Sequence, residues 1–201
     1  MDWEQNLINE YFENNGFFVR RAGKFRSNKR KKSGDELLAT AILKPSLNEN
    51  SSSLGFRLYT SDLNKIRFAL VCTLSWGNPE FSYGMLTNDA LLMKFFKKQV
   101  KENLIEECFN PSAELPEYGI GSFLRLLIVP ALPKNEKKMS EVFTLFNSIN
   151  VEGILTFRSI LENLLRSSDP SIYSGKPIFK IFKILKAYEL AKDPQLEMFE
   201  E

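Results

Sequence analysis

The sequence predicts an α/β protein with a mixed central sheet flanked by helices, and three observations carry that reading. Two runs, IRFALVCTL at 66–74 and SFLRLLIVPAL at 122–132, are apolar almost throughout. Such runs suit strands covered on both faces. From residue 88 onward, strand patterns alternate with segments of helical period, as they do when right-handed crossovers join parallel strands. Before that point, strand patterns follow one another across polar turns, which adds an antiparallel part.

Asp2 caps a first helix that runs to about residue 15. Trp3, Leu7, Ile8, Tyr11 and Phe12 recur there at helical spacing, and Gly16 supplies the stop. Residues 17–21 read as a strand with Phe17 and Val19 on one face. The basic stretch after it reads as a hairpin loop around Ser27-Asn28, and DELLATAIL at 35–43 as the next strand. Residues 44–53, KPSLNENSSS, have no apolar period and read as a loop. Residues 56–60 and 66–74 read as two strands joined through Ser61-Asp62, followed by turns around Gly77, Pro79 and Gly84.

Thr87 or Asn88 opens a helix carrying Leu91, Leu92, Phe95, Phe96, Val100, Leu104 and Ile105, with one break before Pro111. After the strand at 122–132 comes a helix at 135–148, with Met139, Val142, Phe143 and Phe146 inward. A short strand at 153–157 leads into a helix at 158–167 that bears Ile160, Leu161, Leu164 and Leu165. Beyond Asp169-Pro170 a last helix spans 177–192. Ile178, Ile181, Phe182, Leu185 and Tyr188 share one face of it, and Lys180 and Lys183 lie on the other. No internal repeat is present. Gly119-Ile120-Gly121 precedes a strand rather than linking strand to helix, so it is not a phosphate-cradling loop.

Composition narrows the chemistry. Apolar residues make up 43% of the 201 residues, enough for a core without disulfides. Most of the 17 phenylalanines fall at core positions. No run reaches the ~18 apolar residues of a membrane-spanning helix. The opening MDWEQNLINEYFENNG is acidic and amphipathic, unlike a secretory or transit leader. Cys72 and Cys108 lie far apart, Cys72 within an apolar strand, and read as buried free thiols of a cytoplasmic protein. Histidine is absent. That removes the commonest general base, the Ser-His-Asp and Cys-His systems, and every His-bearing metal site. Hydrolysis would then need carboxylates, lysine and a hard cation such as Mg²⁺.

Charge is unevenly placed. The stretch RRAGKFRSNKRKK at 20–32 holds Arg20, Arg21, Lys24, Arg26, Lys29, Arg30, Lys31 and Lys32 and no acid. The net charge is +2 overall; with these eight of the 27 bases set aside, 19 bases face 25 acids, a balance of −6. Such a segment suits a polyanion, whose phosphates release counterions on contact. Phe25 among the bases could stack on a nucleobase.

Three local pieces, YFENNGFFVRR at 11–21, DELLATA at 35–41 and VCTLSW at 71–76, together with the order of elements, resemble the restriction-endonuclease-like nuclease superfamily in its small predicted-nuclease branches. The resemblance implies an acid on the second strand and an acid on the third that hold Mg²⁺. It also implies a lysine two residues after the second acid, facing the same side. Carried over, the first acid is Glu36 if Leu-Leu-Ala sets the register, or Asp35 if Gly-Asp does. Cys72 stands at the second acid and Leu74 at the lysine, while Trp76 keeps the aromatic that follows. Leucine moves no proton, and a neutral thiol is a poor ligand for a hard cation.

The expectation is therefore a catalytically inactive nuclease-like core at 1–169, with Asp35 and Glu36 as remnant acids. A C-terminal helix and short acidic tail at 170–201 pack on that core. No metal or cofactor is expected; Mg²⁺ would enter only with an active site. DNA or RNA would be held by residues 20–32. The enzymatic alternative moves the acids to Glu4, Glu10 or Glu80, with Lys65 or Arg67 in place of the family lysine. Taken alone, Glu4 and Glu10 read as a solvated helix face. The third reading is an interaction protein that forms a homodimer through its last helix.

Overall fold

Five strands form one mixed sheet in the order β1-β2-β3-β4-β5. They are β1 (Phe18–Arg26), β2 (Glu36–Leu43), β3 (Phe68–Thr73), β4 (Leu124–Val129) and β5 (Gly153–Thr156). β2 runs antiparallel to its neighbours β1 and β3, and β3, β4 and β5 run parallel. Among the described residues, six α-helices complete the α/β fold: α1 (Trp3–Asn14), α2 (Asp89–Lys101), α3 (Leu104–Phe109), α4 (Glu136–Asn147), α5 (Phe157–Ser167) and α6 (Pro177–Ala187). The computed structural model describes residues 3–26, 36–45, 54–74, 76–102, 104–109, 123–168 and 176–191. The Asp2 cap, the Ser27-Asn28 turn, most of the 44–53 loop and Asp169-Pro170 lie outside them.

Topology sorts the helices into two layers. Two parallel crossovers that advance in the same direction with the same hand put their helices on one face. Accordingly α2, α3 and α4 share a core with Leu70, Cys72 and Leu127. The opposite face goes to α1, α5 and α6, which pack on Ala69, Val71, Leu126 and Leu155. β3 sits third of five and every one of its residues is buried, as its unbroken apolar run predicts.

Local chemistry sets most boundaries. The Asn88 carboxamide accepts from the amides of Ala90 and Leu91, so Asn88 rather than Thr87 caps α2. Asn135 caps α4 through the Lys138 amide, and Thr156 caps α5 through the Ser159 amide. The long helical pattern after Asn88 breaks at Glu102 into α2 and α3. β4 stops at Val129 because Pro130 offers no amide to the ladder. No helix among the described residues is long and apolar enough to cross a membrane.

Three elements differ from expectation. β1 does not end at residue 21; it pairs with β2 as far as Arg26 opposite Glu36, with a register shift between Arg21 and Gly23. Arg20, Arg21, Lys24 and Arg26 therefore have strand backbone rather than loop backbone. On an edge strand charged residues carry no apolar alternation, which hid the strand. Residues 56–60 are not a strand. Arg57 makes a single bridge to Ile154, and a 3₁₀ turn, Thr60–Lys65, follows. The Asp62 carboxylate accepts the Tyr59 amide at 3.0 Å and bends the chain away. The Ile154 amide donates to the Phe56 carbonyl and the Leu58 amide to the Ile154 carbonyl, both at 2.8 Å, so this segment covers the outer edge of β5. Leu58 lies so close that a Cβ on Gly153 would meet its Cδ1 at 2.6 Å, which explains a glycine inside a buried strand.

The third difference is helical phase. Trp3 is 58% exposed, and Glu4, at 2%, takes the inward place. On α6, Phe179 is buried and Phe182 partly so, while Ile181 (52%) and Tyr188 (74%) face outward. The helix ends at Ala187, short of residue 192.

Candidate functional site

The carboxyl end of β3 is where the resemblance puts chemistry, and its two sides differ. Cys72 and Leu74 are both 0% exposed, in the core beneath α2 and α3. The Cys72 thiol lies beside the Cys108 thiol of α3. Burial pushes Cys72 well above the ordinary thiol value, and the contact with Cys108 adds to the rise. Both cysteines are free. Tertiary packing thus joins two thiols that the sequence leaves far apart. A neutral thiol and a leucine within a hydrocarbon shell do not fit a hard cation.

Strand alternation turns Thr73 the other way, toward α1. On that side Glu4, Gln5, Thr40 and Thr73 are all buried. The Gln5 Nε2 donates to Thr40 Oγ1 at 2.8 Å and to Asn9 Oδ1 at 2.7 Å. Glu4 Oε1 accepts the backbone amide of Trp76, just past the strand. Gln5 Oε1 and Thr73 Oγ1 are buried with no hydrogen-bond partner among the described residues. The reading of Glu4 as part of a solvated face is thus corrected. The signal was available: residues 4, 7, 8, 11 and 12 form one stripe at helical spacing. A large aromatic at Trp3 drew the phase one residue away.

This polar cluster joins elements distant in sequence, but its described side chains include one carboxylate and no ammonium. Glu36 opens β2, with its backbone opposite Arg26. Its side chain lies outside the described residues, as does the whole of Asp35. The other acids proposed for a relocated site are spread apart. Glu10 pairs with Lys176 at 2.6 Å, and Lys176 also reaches Glu13 at 2.6 Å, which ties the start of α6 to α1. Burial works against the Lys176 charge, but bonding to both glutamates holds its pKa above the ordinary lysine value. Glu80 pairs with Lys98 and accepts from Gln99 Nε2 at 3.2 Å, on the α2 side. Lys65 pairs with Asp62 at 3.2 Å. Arg67 is exposed just before β3 begins. Among the described residues no group of three or more acids or cysteines could hold a metal ion.

The basic stretch divides at the end of β1. Arg20 and Arg21 are exposed on this edge strand. Lys24 and Arg26 contribute strand backbone. Lys29, Arg30, Lys31 and Lys32 lie outside the described residues. Compared with family models, curated proteins and solved structures, the chain matches none.

Proposed function

We propose that the protein is a catalytically inactive protein of nuclease-like fold that holds DNA or RNA through residues 20–32. The observation that carries this reading is the concentration of eight bases on an edge strand and the segment after it, against a net acidic remainder. An edge strand leaves its outer side open to a long ligand, and arginine and lysine there bind phosphate without reading sequence. The order helix, strand, strand, buried strand, crossover helices, strand agrees with what the resemblance implies. The dry surroundings of Cys72 and Leu74 support loss of hydrolysis.

Gel-shift titration across a salt series tests binding. Labelled DNA and RNA should be retarded at low salt. Changing Arg20, Arg21, Lys24 and Arg26 together to alanine should flatten the slope of log K against log salt by about 3–4 on duplex DNA. No shift at low salt by either nucleic acid would end the binding reading. Plasmid nicking with Mn²⁺ tests inactivity: metal-dependent cutting that a Glu36→Ala variant loses would favour a nuclease with relocated acids. The exposed Ile181 and Ile184 on α6, with Tyr188 just past its end, favour a second reading, an interaction protein that dimerises there. Sedimentation as a dimer with no gel shift would support it.

A further inference from the structure

A cavity of about 780 Å³ opens at the carboxyl ends of the parallel strands. Its wall is built from Trp76 after β3, residues 130–134 after β4, and residues 156–158 where β5 turns directly into α5. Segments just past the carboxyl ends of parallel strands are where open α/β sheets bind ligands. The volume is within the range of small-molecule sites. Among the described residues of the basic stretch, none lines it.

Apolar side chains furnish much of the lining: Phe157 and Leu161 from α5, Phe182 from α6, and Met139 from α4. Among the described residues, the charged lining consists of three bases, Arg57, Lys134 and Arg158, and one acid, Glu162. Glu162 is taken by Arg158 Nε at 2.7 Å. The Arg57 guanidinium lies over the Tyr59 ring, 5.1 Å from its centroid, which holds the cation in place. The first residues of α5 add the positive end of a helix to the same side.

We infer that this cavity binds a small amphipathic anion, a carboxylate, sulfonate or phosphate on an aromatic or aliphatic body. The apolar lining takes the body, and Arg57 and Lys134, beside the start of α5, take the charged group. A neutral apolar molecule of the same size gains only the first contribution, so charge is the basis of selection.

Fluorescence titration of the full chain compares 8-anilinonaphthalene-1-sulfonate with its uncharged relative N-phenyl-1-naphthylamine. The sulfonate should bind one saturable site at least ~10-fold tighter than the neutral probe, the factor that one charge-assisted hydrogen bond supplies. Changing Arg57 and Lys134 together to alanine should erase that preference and leave the neutral probe unchanged. Ala131→Trp should fill the cavity and weaken both probes. Ile181→Lys with Ile184→Lys, on the exposed face of α6, should change neither. Failure of the sulfonate to bind, equal affinity for the two probes, a preference that survives the double alanine variant, or loss of binding on changing α6 would each overturn the inference. The double alanine variant changes residues at the cavity rim, so it decides the matter if Ala131→Trp does not fold.

Discussion

The two faces of the central sheet are built on different chemistry. Toward α2, α3 and α4, the described side chains that β2 and β3 present are apolar, with one thiol. A run of rings backs them: Trp76–Phe81 at 5.1 Å, Phe81–Phe95 at 5.7 Å, Phe95–Phe96 at 5.6 Å and Phe96–Phe146 at 5.1 Å between centroids. Toward α1, the same strands bury Thr40 and Thr73 beside Glu4 and Gln5. Nearby, Tyr11 bonds Thr60 at 3.2 Å, and burial pushes its phenol up to about 12. Because strand side chains alternate, one residue of register separates the two environments. Cys72 and Leu74 belong to the dry face, Thr73 between them to the polar one. An acid and lysine at 72 and 74 could not meet water here without rebuilding the core.

The strongest way to break that contrast is Cys72→Glu, which puts the superfamily's acid where the resemblance expects it. A carboxylate without a partner on the dry face should destabilise by about 4 kcal/mol or more, read by urea denaturation, with no gain of Mn²⁺-dependent nicking. A midpoint near that of the parent would refute the description of this face. Phe96→Ala, from the middle of the ring series, should cost about 3–5 kcal/mol by the same assay.

On the polar face the effects should be smaller and of both signs. Thr40→Val removes the acceptor of Gln5 Nε2 and should cost about 1–2 kcal/mol. Thr73→Val removes a buried hydroxyl without a partner and should stabilise by up to about 1 kcal/mol. If both valines destabilise alike, Thr73 has a partner that this contrast lacks. The smallest effect concerns the rim of that face. The folded pKa of Lys176 is raised, so its pairing with Glu10 and Glu13 contributes fully below the unfolded lysine value of about 10.4. The contribution fades as pH rises through the higher folded value. The stability gap between the parent and Lys176→Met should close over that alkaline window and stay level from there down to neutral pH.

Much of the fold was legible because burial writes a short period into sequence. The apolar runs at 66–74 and 122–132 contain β3 and β4, and the helical spacings near 135–148 and 158–167 contain α4 and α5. Legibility failed where charge or geometry masked the period. The basic half of β1 shows no alternation, and FRLYT has the composition of a strand until Asp62 folds it into a 3₁₀ turn. The candidate site was legible only as a list of residue types. The Gln5–Thr40 bond and the Cys72–Cys108 contact join segments that no local pattern connects, and the burial of Glu4, named only as an alternative acid, was misjudged through one step of helical phase.

The covered outer side of β5 also governs how copies of the sheet could join. Its residue Ile154 already exchanges backbone bonds with Phe56 and Leu58, so among the described strands β1 is the edge left for strand addition. Molecules adding edge to edge would stop at a pair, since neither member keeps a second free edge for growth into a fibre. Even that pair would set arginine against arginine, which favours the solitary chain unless a polyanion lies between the two.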